Sequence, residues 1–429
     1  MNKSKLIKNC QVCKSKNLQS IIFLGYLPPV NLLHKIGTDI KNEEMFPLEL
    51  VRCKSCGLVQ INLEVSKEIL FPFEYPYLSG TTKVLTENFK DLFNEVKRLK
   101  LINKDDLVLD IGSNDGSLLS NFHNNGFKAL GIEPSKAAKV AISKGINTIN
   151  EYFTKKITVD VKKKFGFVKI LTAANVFAHI SNPKELIKNI VSILDKDGVF
   201  ISESHYLPTL LKTVQYDTIY HEHLRYYHLD SLRKLFEYEG LKIFYAKKIK
   251  THGGSIRVYA SKSNKYKMDK SVKSILKEEA NNGIIDGSAL FSLKNKIVRS
   301  KLDLLSLISS IKSKKKRIFG IGAPSRASTL ISYLGIDDGI IDCVLEVSNS
   351  HKINCLMPGT KIPILDEKKL FKEKPDYVLL LSWHISSFLI KILRKKGFRG
   401  KFIIPLPKPK IIGWLFNERK KPKISNFFW

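Results

Sequence analysis

Asp106-Leu107-Val108-Leu109-Asp110-Ile111-Gly112-Ser113-Asn114-Asp115-Gly116 decides the fold of this chain. An apolar run of strand type enters a glycine turn, and a helical pattern follows. The glycines let the backbone turn sharply and approach a ligand. Glu133, at the end of the next apolar strand (128–132), is placed to accept hydrogen bonds from ribose hydroxyls. Spacing selects the nucleotide. The dinucleotide fingerprint G-x-G-x-x-G sets its last glycine one position farther from its first than this chain does, to seat a helix beneath a pyrophosphate. Here Gly116 follows Gly112 by four residues and Asp110 precedes Gly112 by two.

The alternation continues on both sides. A helix-like segment runs over 83–100, and further apolar strands stand at 167–171 and 198–203 with helical patterns between them. Strands alternating with helices predict an α/β fold with a parallel sheet and crossover helices. Asn175, in Ala173-Ala174-Asn175-Val176-Phe177-Ala178-His179, follows the fourth strand, where such sheets present residues to ligands. Taken alone, Asn175 reads as a loop cap and His179 as a satisfied core histidine. A Lys- and Ser-rich stretch, 261–316, carries a helical apolar pattern over 284–311. Beyond it the pattern restarts: strand 317–321, a turn through Gly320-Ile321-Gly322-Ala323-Pro324, helix 325–334, and strands at 341–346 and 377–381. That is a second, smaller α/β unit.

With 429 residues the chain has room for two or three domains, each with its own core. Its 43% hydrophobic residues are ordinary for a soluble globular protein, no apolar run approaches a membrane span, and the N-terminus lacks a signal-peptide core. The expected location is cytoplasmic. The net charge of +32 is spread over the chain instead of forming one stripe, which favours Lys-rich composition over nucleic-acid binding. A phosphate-bearing small substrate is the next reading. The aromatic and basic tail, 408–429, reads as a segment that docks on its own protein, with contact to a membrane surface as the alternative.

Four of the six cysteines form two knuckles, Cys10-x2-Cys13 and Cys53-x2-Cys56. Two such pairs bring four thiolates to one zinc ion in tetrahedral reach, and no position is left open for water, so the metal should be structural. The 39 residues between the pairs exceed the spacing of a simple ribbon, so an insertion must loop out. Cys343 and Cys355 read as ordinary thiols.

Tyr220-His221-Glu222-His223 is dense in groups that titrate or hydrogen-bond near neutral pH. Three uses compete for it: proton transfer, a hydrogen-bonded strand end, and chelation by His221 and His223 from one face of an extended segment. No H-E-x-x-H spacing supports the last.

The form Asp110-x-Gly112-x-x-x-Gly116 resembles the first motif of class I S-adenosylmethionine-dependent methyltransferases, with Asn114 standing where many members carry glycine. Adding the knuckles, Cys56-Gly57-Leu58-Val59-Gln60, Tyr75-Pro76-Tyr77, Asp217-Thr218-Ile219-Tyr220-His221-Glu222-His223, His252-Gly253-Gly254-Ser255, Gly322-Ala323-Pro324 and 356–364, nearly the whole chain resembles the C-methyltransferases of nucleotide-linked keto-deoxysugars. That resemblance implies a zinc-binding domain over 1–80, a methyltransferase core of class I Rossmann-like fold over 81–265, a helical linker over 266–315, a smaller Rossmann-like domain over 316–412 and a tail over 413–429. It implies a cytoplasmic monomer in deoxysugar and polysaccharide biosynthesis. S-adenosylmethionine would be held by Asp110, Gly112, Asn114, Gly116, Glu133, Pro134 and Asn175, and structural zinc by Cys10, Cys13, Cys53 and Cys56. The substrate would be a dTDP- or other NDP-4-keto sugar, methylated next to the ketone at C3. His223 would be the general base, with Glu222, Tyr220, His179 and Tyr77 (or Tyr75) positioning it or the sugar. A sugar carbon becomes a nucleophile only when a proton α to a carbonyl is removed, and a neutral imidazole suits that task.

The C-terminal unit departs from the family. Gly322-Ala323-Pro324-Ser325-Arg326-Ala327 replaces the usual Gly-Ala-Pro-Ala-Lys-Gly, and Trp383-His384 replaces Trp-Asn. Arg326 keeps a positive charge there for phosphate. Two rival functions remain. A nucleic-acid methyltransferase fits knuckles and charge but lacks the Asn/Asp-Pro-Pro-Tyr/Phe motif. The other is a non-catalytic module that retains the cofactor fold.

Overall fold

The computed structural model describes residues 3–41, 43–71, 78–81 and 83–413. The strands of its two large sheets are numbered here in chain order. The first sheet contains β1 (Leu107–Ile111), β2 (Lys128–Ile132), β3 (Thr148–Ile149), β4 (Val168–Ala174), β5 (Leu194–His205), β6 (Lys242–Ile249) and β7 (Ser255–Ser261). Their order is β6-β7-β5-β4-β1-β2-β3. β1 to β5 are parallel, and β7 is antiparallel to both of its neighbours. This is the sheet expected of a class I methyltransferase core. The order reverses between β1 and β4, so the crevice beyond their carboxyl ends is the place for a ligand.

β1 is buried at every residue, which explains its unbroken apolar run. Alternate side chains serve opposite faces. Leu107, Leu109 and Ile111 join one core with Ile187, Ile190 and Phe200, while Val108 joins another with Leu92, Phe93 and Phe122. Helix Lys83–Arg98 supplies Leu85, Phe89, Leu92, Phe93 and Val96 to that second core at helical spacing. Each contributes roughly 1.5–3 kcal/mol before entropy is counted. β5 starts earlier than its apolar pattern suggests, through an irregularity between Leu194 and Val199.

The second sheet contains β8 (Ile318–Ile321), β9 (Val344–Glu346), β10 (Cys355–Leu356), β11 (Pro363–Asp366), β12 (Tyr377–Leu380), β13 (Lys401–Ile404) and β14 (Lys410–Ile412). The order is β10-β11-β9-β8-β12-β13-β14, with five parallel inner strands and antiparallel edges. Between the sheets, helices span Lys270–Asn281, Ser288–Phe291 and Leu293–Lys312. The helical pattern expected over 284–311 is interrupted early, where Gly283 and Gly287 adopt left-handed φ of 68° and 84°. A smaller sheet has the order Arg225–Tyr226, Val59–Ile61, Phe46–Cys53, Leu18–Leu27.

The chain forms two compact units, neither contiguous in sequence. One comprises Met1–Ser20, Val51–Thr209 and Glu222–Ala289, and the other Ile21–Leu50, Leu210–His221 and Leu290–Trp429. Both knuckles and the first sheet belong to the former. The latter takes the second sheet and most of the insertion between the cysteine pairs. Among the described residues, no helix is long and apolar enough to cross a membrane.

Inside the second unit, Asp217 is fully buried and fully paired. Arg326 donates to both of its oxygens, each at 2.8 Å, and the Trp383 indole N–H donates to Oδ2 at 2.7 Å. The same guanidinium donates to Gln215 and lies over the Trp383 ring. A buried charge with one partner removed is strongly unfavourable. Arg326→Ala is therefore expected to cost about 3–5 kcal/mol in thermal or urea denaturation. Replacing Asp217 and Arg326 together by apolar residues should cost less than Arg326→Ala alone.

Candidate active site

β1 ends in three left-handed residues, Gly112 (φ 67°), Asn114 (φ 51°) and Gly116 (φ 75°). A Cβ on Gly112 would stand 2.7 Å from Val176 Cγ2, and one on Gly116 3.1 Å from Ala141 and Ile146. Both positions require glycine. Asn114 replaces a glycine without clash because asparagine tolerates left-handed backbone, and its Oδ1 accepts the Ser79 N–H at 2.8 Å. The Asn114 N–H donates to Glu133 Oε2 at 3.0 Å, and Ser135 N–H donates to Oε1 at 2.9 Å, across the half-buried Pro134. Glu133 is thereby fixed with one lone pair on each oxygen left for a diol.

Asp110 is buried beneath this corner. Burial pushes its carboxyl up to about 7, against the Thr172 hydroxyl that donates to it at 2.6 Å, and the charges of Glu133 and Glu203 raise it further. Asp110 and Glu133, at the ends of β1 and β2, suit a ligand with a cationic group, whereas Glu203 of β5 is already paired with Arg257 and Asn88. Asn175, left-handed at φ 60° just after β4, has a shielded Oδ1 with no hydrogen-bond partner among the described residues. Such an acceptor suits a ligand N–H. The residues present fit S-adenosylmethionine.

The four knuckle sulfurs lie within 4.8 Å of one another, with Cys10–Cys56 and Cys13–Cys53 at 3.5 Å. Zn–S bonds of about 2.3 Å at tetrahedral angles place sulfurs about 3.8 Å apart, so the set fits zinc. Each knuckle closes alike: Lys14 (φ 64°) returns its N–H to Cys10 O, and Gly57 (φ 83°) to Cys53 O. Hydrogen bonding from Cys10 holds the Cys56 thiol down at about 5, so one thiolate is already favoured.

Arg225 ties this metal corner to the sheet. It is 1% exposed. Its guanidinium donates to Gln11 Oε1 (2.8 Å), inside the first knuckle, to the Tyr227 hydroxyl (2.8 Å), and to the carbonyls of Phe177 (2.9 Å) and Ile180. Segment 177–180 carries His179. That ring donates its Nδ1–H to the Glu222 carbonyl at 2.7 Å, which fixes the neutral tautomer, and burial lowers its pKa to about 4. Leu224 N–H donates to Ala178 O at 2.8 Å, closing the same turn.

Four of the chain's ten histidines gather here. The buried His223 ring lies 5.0 Å from His179, 4.9 Å from His205 and 6.3 Å from Tyr226, centroid to centroid. His252 stacks on His205 at 5.4 Å, and Phe71 meets His179 edge-on at 5.5 Å. The run 220–223 is a turn and not an extended segment. His221 packs on Phe46 with Nε2 3.3 Å from Pro47 O, which commits its imidazole there, and burial lowers its pKa to about 4. Among the described residues only the four cysteines form a metal-binding group. Glu222 is buried and Tyr220 half-buried. Tyr77 and Tyr75 lie outside the described residues. The structure adds His205 and His252 to the cluster. His252 was signalled by its Gly-Gly neighbours, whereas His205, the last residue of β5, carried no signal. Arg326, a phosphate candidate from sequence, has its guanidinium engaged by Asp217 and Gln215.

Residues 10–71 match the family model of a zinc binding domain, 84–246 that of a methyltransferase domain, and 250–407 that of a C-methyltransferase C-terminal domain. The chain is 30% identical over 412 residues to the C-methyltransferase NovU of Streptomyces niveus, covering 95% of this chain and 97% of that relative. Solved structures with likeness to it include an S-adenosylmethionine-dependent methyltransferase from Clostridium acetobutylicum (15% identity, 42% of this chain and 92% of that one, TM-score 0.33). Another is magnesium protoporphyrin IX methyltransferase from Synechocystis with bound S-adenosylmethionine (16% identity, 42% and 79%, TM-score 0.32).

Two outcomes are expected. Asp110 binds a proton in the folded state at pH values where the unfolded chain, with an ordinary carboxyl near 3.8, has released it, so stability from this group falls as pH rises from about 4 to 7. The gain in melting temperature of Asp110→Asn over the unsubstituted chain should be larger at pH 8 than at pH 5, while calorimetry shows S-adenosylmethionine bound about tenfold more weakly. Arg225→Ala should cost about 3 kcal/mol or more in denaturation, since each hydrogen bond to a charged group contributes roughly 1.5–3 kcal/mol.

Proposed function

The chain belongs to the C-methyltransferase family, and on that premise we propose that it methylates an NDP-4-keto-deoxysugar at the carbon next to the ketone, C3, in the cytoplasm. S-adenosylmethionine supplies an electrophilic methyl group. What supports the sugar substrate is the buried His223 ring held among His179, His205 and Tyr226, beside the cofactor corner. Gly112 of that corner approaches Val176, and Val176 and His179 share one short segment after β4.

His223 removes the C3 proton, and the electrons of that C–H bond pass into the enolate. The enolate carbon would then take the methyl group as its bond to the sulfonium sulfur breaks, leaving a neutral thioether. His179 presents an unprotonated Nε2, because its Nδ1–H is spent on Glu222 O. It therefore accepts a hydrogen bond from a sugar hydroxyl and does not stabilise the enolate oxygen. That donor role falls to the tyrosine hydroxyls, Tyr220 and Tyr77, with Glu222 positioning the base. The 177–180 segment, held by Arg225, keeps His179 and His223 in register. Zinc held by Cys10, Cys13, Cys53 and Cys56 would brace the knuckle bearing Gln11, which Arg225 contacts.

Incubated in deuterium oxide with an NDP-4-keto-deoxysugar and no methyl donor, the enzyme should exchange the proton at C3, read by NMR. His223→Ala should slow that exchange about 10²–10⁴-fold, the usual contribution of a positioned base. S-adenosylmethionine affinity should persist. Full exchange in the variant removes His223 as the base.

A further inference from the structure

Methyl transfer to carbon leaves one proton over. The substrate C–H bond breaks, a carbon–carbon bond forms, and the sulfonium loses its methyl group and charge. The proton taken by the base must reach solvent before the next turnover. His223, only 7% exposed, is poorly placed to release it directly. His205 and His252 are each half-buried and so more open than His223.

From the spacing of these rings, we propose that His205 and His252 are the exit route for the proton abstracted at His223. The proposal rests on His223 being the base. Imidazole accepts a proton at one nitrogen and releases one from the other, so a file of rings moves charge without moving atoms far. Two imidazoles joined by an N–H···N bond of about 2.9 Å have centroids about 5 Å apart. His223 and His205 are 4.9 Å apart at a steep interplanar angle of 63°, which suits such a bond. His252 lies 5.4 Å from His205 and nearly parallel at 28°, an arrangement that one bridging water completes. His179 touches the same base but leads nowhere, since its Nδ1–H is held by Glu222 O and burial opposes its charged form.

The backbone is built to hold this file. His205 closes β5 and pairs with Ser255, the first residue of β7. The loop joining β6 to β7 then carries three successive left-handed residues, His252 (φ 54°), Gly253 (φ 84°) and Gly254 (φ 122°). A Cβ on Gly254 would stand 2.4 Å from Thr209 Cγ2, so only glycine fits. Tyr206 N–H donates to Gly254 O at 3.1 Å, and Gly254 N–H to Thr251 O at 2.9 Å. A left-handed histidine is costly, and such strain persists where the surroundings impose it, commonly at functional sites. Here it brings the His252 ring over His205.

The test uses the full chain and an NDP-4-keto-deoxysugar deuterated at the methylated carbon, in ordinary water without methyl donor. In His205→Ala the abstracted deuteron is expected to return to its own carbon, so washout of label falls at least about tenfold, within the usual range for proton-transfer groups. His252→Ala should show a smaller fall. Added imidazole should restore washout in His205→Ala, and His205→Gln, which hydrogen-bonds but does not carry a proton, should not. Unchanged washout in His205→Ala, with His223→Ala inactive, overturns the exit route and spares the base. Rescue by glutamine, or loss that imidazole does not restore, assigns His205 a structural role and also overturns the route. Washout persisting in His223→Ala overturns the base itself.

Discussion

A buried guanidinium needs acceptors for its donors, and Arg225 finds four by gathering two distant stretches of chain and a near neighbour. Gln11 comes from the first knuckle and the carbonyls of Phe177 and Ile180 from the segment after β4, while Tyr227 stands two residues on from Arg225 itself. Leaving such donors unmade in the interior costs far more than making them gains. The knuckle, the loop bearing His179 and the turn bearing His223 are therefore set against one another by one side chain. Zinc held by the four cysteines would brace the knuckle that carries Gln11, at one end of this chain of contacts.

The site combines two electrostatic regimes. At the ends of β1 and β2 two carboxylates, Asp110 and Glu133, meet, and burial with their repulsion raises Asp110 to about 7, while the nearby Glu203 is paired with Arg257. That arrangement weakens the empty protein at neutral pH and favours a cationic ligand. A few residues away, burial instead holds His179 neutral. One corner is suited to positive charge and the next holds a neutral imidazole.

Much of the cofactor corner was legible before folding. The Gly112/Gly116 spacing, Glu133 and the left-handed tolerance of Asn114 are local properties of backbone and side chain. The knuckles were equally legible, because thiolate pairs at C-x2-C spacing have few other uses. The histidine run was only half legible. Its density singled it out, but its shape is a turn, with His221 committed to Phe46 and Pro47 and His223 to the ring cluster. His205 gave no sign, since a histidine closing a strand is unremarkable until another ring stacks on it. Arg326 looked available for phosphate and is instead neutralised by Asp217, a pairing across more than a hundred positions that no local pattern reveals.

The sequence by itself determined the strand–helix alternation, the choice of methyl donor over dinucleotide and the metal ligands, because periodicity, glycine spacing and cysteine pairs act over short stretches of chain. The tertiary structure alone decided which histidines meet. That outcome depends on β5 pairing with β7, on a strained glycine loop behind them, and on the donors of Arg225 finding acceptors. Each is a long-range condition that becomes visible only when the whole core is packed.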